Sequence, residues 1–73
     1  MTYQIYRLHL NDGKSIDIAE DYHLPFENGI IEQVKNANDN EWLTVDDGIA
    51  GIFYIPVKSI LYISAAEVRN VPD

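Results

Sequence analysis

Apolar and polar residues alternate through the first twenty positions. Tyr6, Leu8 and Leu10 alternate with Arg7 and His9, and Ile16 and Ile18 alternate with Ser15 and Asp17. A period of two marks a half-buried strand, because successive side chains point to opposite faces. Asn11-Asp12-Gly13 lies between the two runs. Asp-Gly flanked by alternating apolar positions predicts a hairpin, since glycine accepts the positive φ of a type I′ turn without steric cost. Strands are predicted near 3–10 and 14–19.

The pattern breaks at residues 20–28. Pro25 lacks an N–H and restricts Leu24 toward extended backbone, which makes this segment a loop with room for one helical turn. Residues 29–37 fit two templates. Phe26, Ile30, Ile31, Val34 and Ala37 share one helical face, whereas Asn28, Gly29, Asn36 and Asn38 are poor helix residues. Trp42-Leu43-Thr44-Val45 is rich in strand formers, and the intervening Asn36 to Asn40 is turn chemistry. Strands at about 30–36 and 41–46 are preferred, with a short helix at 26–36 as the alternative. Asp46-Asp47-Gly48 predicts another turn. An apolar run through Ile52, Phe53, Tyr54 and Ile55 follows, stopped by Pro56, and Ile60-Leu61-Tyr62-Ile63 predicts a last strand over 59–64. The tail from Ala65 is expected to form one helical turn before Pro72 or to fray.

Short strands with turn signals every 8–12 residues point to an all-β barrel or sandwich, or a β-rich fold with one short helix. The economical solution is a five-stranded barrel over a single domain, residues 1–73, with an inserted loop at 20–28. Closure removes the exposed edges that invite aggregation. The runs at 52–55 and 60–63 are apolar on both faces. A strand of a small barrel has one core face and one solvent face, so the second apolar face needs a cover, either from the same chain or from another subunit. Ile52, Tyr54, Leu61 and Ile63 are the predicted interface, with Phe53 and Tyr62 toward the core. A slip of one residue would exchange the two sets.

Composition narrows the function. The chain has 73 residues, 12 acidic and 5 basic, for a net charge of −7, and no cysteine. Disulfides, thiolate zinc sites and cysteine nucleophiles are excluded. Domains below about 70–80 residues usually need a staple, so a protein partner or homo-oligomer is expected. No signal peptide, no membrane span and a cytoplasmic location are expected.

The last third resembles the Sm-like and SH3-like small β-barrels. Sm-like proteins carry an Arg-Gly pair before a hydrophobic–variable–aromatic–hydrophobic strand. Ile60, Tyr62 and Ile63 match that strand, and 29–32 and 41–47 resemble the middle strands. Pro56 and Val57 stand where the Arg-Gly would be, and the family's arginine belongs to its RNA-contacting loop. The resemblance implies a barrel over about residues 3–64 and assembly through the last strands. It transfers no functional residue.

Candidate chemistry is sparse. His23, Glu20 and Asp21 could ligate a metal, but close spacing on a loop specifies neither ligand count nor a second shell, and no metal or cofactor is expected. His9 alternates with Leu8 and Leu10 and is expected to face solvent. Ser15, Ser59, Ser64 and Thr44 lack a nucleophile elbow and an evident histidine partner. No enzyme is expected. The aromatics Tyr3, Tyr22, Trp42 and Tyr54 could stack on bases, but the basic residues are scattered and the net charge repels phosphate, which disfavours nucleic acid. Asp39, Glu41, Asp46 and Asp47 form a predicted acidic surface around one pair of loops. The leading expectation is a non-enzymatic interaction or self-assembly module of bacterial or phage origin. An acidic nucleic-acid mimic or phage-type inhibitor is the first alternative, and an Sm-like nucleic-acid binder the second.

Overall fold

The structure is a computed structural model that describes residues 1–46 and 51–72. Strands β1 (Thr2–Leu10) and β2 (Ser15–Asp21) form the predicted antiparallel hairpin, in register from Tyr3 opposite Asp21 to His9 opposite Ser15. The turn differs from the expected type I′. Gly13 N–H reaches Leu10 C=O, Leu10 N–H reaches Lys14 C=O, and only Gly13 has positive φ, at 89°. A type I′ turn needs positive φ at two successive residues, so this is a longer loop that ends in one left-handed glycine. Asp12 closes it by accepting the Lys14 N–H at 2.9 Å.

Residues 30–36 are helical, not extended. Helix α1 (Ile30–Asn36) follows a 3-10 turn at Phe26–Asn28. Its start is stabilised from outside the segment, where the Glu20 carboxylate accepts the Ile30 N–H at 2.9 Å. That bond satisfies a donor that the helix itself leaves open. Ile30 is buried, and Ile31 and Val34 pack on the same core. The helical alternative therefore prevails over the strand.

Strands β3 (Trp42–Asp46) and β4 (Ile52–Pro56) pair with each other in antiparallel register, from Trp42 opposite Pro56 to Asp46 opposite Ile52. A 3-10 turn at Val57–Ser59 leads into β5 (Ile60–Asn70). β5 runs beyond the predicted 59–64, because β1 offers it a partner along its whole length, from Leu10 opposite Ile60 to Thr2 opposite Asn70. The tail is thus strand to residue 70, not a helical turn or a frayed end. The reciprocal bonds between Met1 and Val71 extend this pairing, with the Met1 amino group 2.7 Å from Val71 C=O and Val71 N–H 2.8 Å from Met1 C=O.

The fold is mostly β with one helix. The strands divide into a three-stranded sheet, ordered β2-β1-β5, and a two-stranded β3-β4 sheet. Among the described residues they do not close into the expected five-stranded barrel. The helix occupies the connection between β2 and β3, and a 3-10 turn occupies that between β4 and β5. Leu8, Ile18, Ile30, Leu43 and Ile55 form the core, one from each element except β5, which adds the half-buried Ile60 and Ile63. Each such burial contributes about 1.5–3 kcal/mol. No helix among the described residues is long and apolar enough to cross a membrane.

Candidate functional site

Strand parity divides the β3-β4 ladder cleanly. Leu43 and Ile55 are opposite each other and buried, and Val45 lies opposite the half-buried Phe53, so these four face the core. The other parity faces out. Trp42 is 63% exposed, Ile52 56% and Tyr54 64%, with Thr44 opposite Tyr54. Three large apolar side chains thus share one solvent face of a two-stranded sheet. Tyr54 and Ile52 are where the sequence places them. Trp42 joins them because cross-strand register, invisible in the sequence, puts it on the same face.

β5 departs from the expected parity. Leu10 is opposite Ile60 and His9 is opposite Tyr62, so Leu61 is an extra residue in the ladder. A bulge of this kind shifts alternation by one position. Ile60 and Ile63, three apart, consequently both pack toward the core, while Leu61 and Tyr62 are both exposed. Ile63 therefore lies on the core side rather than the outer surface, and Tyr62 lies outside rather than in the core. Tyr62 stacks on His9 with ring centroids 4.0 Å apart and planes 12° apart. His9 is half-covered instead of facing solvent freely.

The same pairing gives Ser64 the histidine partner that the sequence did not reveal. His9 Nε2 and Ser64 Oγ are 2.9 Å apart, across 55 positions of chain. The contact lies on a sheet face, beside Asp17, which accepts Arg7 Nε at 2.8 Å and Arg7 Nη2 at 3.1 Å through its two oxygens. With Asp17 held by arginine and His9 clamped by tyrosine, the cluster reads as a cross-strand polar seam. No local sequence signal could have found it, since nothing near Ser64 encodes proximity to His9.

The Arg7 hydrogen bond holds the Asp17 carboxyl below the usual carboxylate range, and the same bond raises Arg7. A carboxyl whose folded pKa is depressed adds stability above its unfolded pKa and loses it as the pH falls through the folded value. Both side chains are about half exposed, so the effect is small and screened by salt. Asp17→Asn is expected to leave urea stability nearly unchanged near neutral pH and to flatten part of the loss at acid pH in low salt. An Asp17→Asn curve that parallels the parent down to about pH 2 would contradict this.

The residues of the 20–28 loop are engaged locally. Asp21 Oδ1 accepts the His23 N–H at 3.0 Å, Glu20 is committed to Ile30, and Tyr22 meets His23 edge-on. Glu20 and Asp21 also border an open cleft of about 490 Å³ with Tyr3, Leu24, Ile30 and Gln33. Of the acidic surface, Asp39 and Glu41 are exposed at the turn before β3, where Asn38 Nδ2 donates to Glu41 Oε1 at 3.1 Å. The Asp46 side chain and Asp47 lie outside the described residues. Among the basic residues, Arg7 pairs with Asp17, Arg69 with Glu67, and Lys35 approaches Glu32 at 3.8 Å. Compared with known protein families, curated proteins and solved structures, the chain matches none of them.

Proposed function

We propose that this chain is a non-enzymatic protein-interaction module that also self-assembles in the cytoplasm. The observation that carries the reading is the outward face of β3-β4, where Trp42, Ile52 and Tyr54 stand exposed together. Aromatic side chains gathered on one face are the usual anchors of protein interfaces. The small size adds a reason, since a chain of 73 residues without cysteine gains stability by covering such a face. Leu61 extends the apolar surface on β5. The likeness to SH3- or Sm-like barrels is proposed for the strand order alone, since β5 returns to pair with β1.

Tyr54→Lys is the direct test. Tyr54 is exposed, so the variant should keep the parent's circular dichroism and melting temperature. In sedimentation, the parent should run well above its 8.3 kDa chain mass and the variant should run below the parent. A parent that sediments as one copy at every concentration would remove self-assembly from the reading.

The acidic-mimic reading rests on a different observation. Among the described residues, Arg7, Lys35 and Arg69 face carboxylates of the same chain, while the full chain carries a net charge of −7. It predicts salt-sensitive capture of a basic nucleic-acid enzyme, and no capture at low salt would end it. The same pairing weakens the Sm-like nucleic-acid reading, for which a gel shift at low ionic strength is the requirement.

A further inference from the structure

We propose that two copies of this chain pair edge to edge through β5, as antiparallel strands related by a twofold axis at Val68. The proposal gives the self-assembly reading an edge and a register, and it rests on that reading.

Among the described residues, β5 is the outer strand of its sheet, with β1 on one side only. The residues from Ala65 to Asn70 are all exposed. The direction of their backbone groups follows from the ladder. Met1 and Val71 exchange both bonds, which makes them a closely hydrogen-bonded pair. Antiparallel pairs alternate between bonded and non-bonded, so Thr2–Asn70 and Gln4–Val68 are non-bonded. Thr2 C=O agrees, since it accepts the Tyr22 N–H on the β2 side. The N–H and C=O of Val68 and Asn70 therefore point away from β1, into the open edge. Ala66 is the extra residue of a second bulge, between the Ile5–Glu67 and Tyr6–Ala65 pairs, and has no ladder partner on β1.

Charge selects the register. With the axis at Val68, each Glu67 lies opposite the other copy's Arg69, and each Ala66 lies opposite Asn70. Val68 meets its own copy. An axis at Glu67 would oppose two glutamates, and an axis at Arg69 would oppose two arginines, and like charges directly across a ladder are unfavourable. Within one chain, Glu67 and Arg69 already pair on the same strand face, so both heads are held on the side where the partner's opposite charges would arrive. In the proposed dimer the Val68 groups bond across the axis and Asn70 bonds Ala66. Residues 66–70 of an edge that an isolated sheet must otherwise blunt are then paired.

Charge reversal provides the test. Glu67→Arg gives a strand with two arginines, and Arg69→Glu gives one with two glutamates. Each variant alone should sediment below the parent, and their equimolar mixture should regain the parent's mass. An interface elsewhere does not produce rescue by mixing. A second measurement does not depend on charge. The chain contains no cysteine, so Val68→Cys introduces a single thiol. Opposed Cα atoms of a bonded pair lie about 5.5 Å apart, within disulfide range. Mild oxidation should give a covalent dimer, and Val71→Cys should not, since in this register Val71 lies opposite Ala65 and the two thiols sit about 20 Å apart. If the parent associates but the mixture does not rescue and Val68→Cys does not cross-link, the β5 register is overturned while self-assembly stands. If the parent is a monomer throughout, both fall. Capture of another protein's strand by a chain that does not self-associate would also overturn the twofold pairing.

Discussion

Leu8→Ala is expected to remove a large part of the folding free energy. Leu8 is fully buried, at 0% exposure, and lies on the central strand β1 of the three-stranded sheet. It packs with Ile18, Ile30, Leu43 and Ile55, and so joins both sheets and the helix. Truncating a buried leucine to alanine costs about 2–5 kcal/mol, from lost transfer energy plus the cavity left behind. At about 0.05–0.15 kcal/mol per residue, a chain of this size holds roughly 4–11 kcal/mol in total. The upper end of the cost meets the lower end of the reserve. Urea unfolding followed by far-ultraviolet circular dichroism would show either no native baseline or a midpoint shifted by the full cost. Leu61→Ala is the control, since Leu61 is exposed at 67% and its loss should change stability by no more than about 0.5 kcal/mol. A Leu8→Ala variant within about 1 kcal/mol of the parent would mean that the two sheets are not joined through this core.

Gly29→Ala carries the second large effect, for a reason unrelated to backbone freedom. Gly29 has φ −88° and ψ 173°, which any residue adopts. A Cβ there would lie 2.6 Å from Glu20 Oε1 and 3.3 Å from Phe26 C=O. The carboxylate that receives the new methyl is the one that accepts the Ile30 N–H at the start of α1. Either that bond breaks or the segment lifts away from β2. Removing such a terminal acceptor costs about 0.5–2 kcal/mol, and the steric displacement adds to it. Glu20→Ala alone should lose the acceptor but open the space. The two changes are therefore coupled, and Gly29→Ala should cost clearly less in the Glu20→Ala background than in the parent. Equal costs in both backgrounds would show that the carboxylate does not sit over Gly29.

The helix shows where local reading stops. Ile30, Ile31 and Val34 carry a helical spacing that is visible in the sequence, yet seven residues flanked by asparagines form a poor helix alone. Its first N–H is satisfied by Glu20, ten positions upstream, on another element. Propensity counts only neighbours in sequence, so it had no access to the group that decided the outcome. β5 repeats the lesson. Ala65 to Asn70 lacks clean alternation and reads as a tail, but β1 has an unfilled edge that pairs with it. The Leu61 bulge then moves Ile63 inward and Tyr62 outward, a change that no single-strand pattern encodes.

The candidate surface divides in the same way. That Ile52 and Tyr54 share one face and Phe53 takes the other follows from period two within one strand. Trp42 joins that face only through the β3-β4 register, and Ser64 meets His9 only through the β1-β5 register.

Local pattern and composition were enough for a small β-rich domain, its first hairpin with the alternation that carries Leu8 and Ile18, and an acidic chain without thiol chemistry. Those features depend on residue type and on alternation, which act over a few positions. Tertiary structure alone decided the helix at 30–36, the division into two sheets, the length and bulges of β5, and the free edge at Val68. Each depends on which distant backbone groups satisfy one another, and a backbone N–H or C=O is chemically the same at nearly every position.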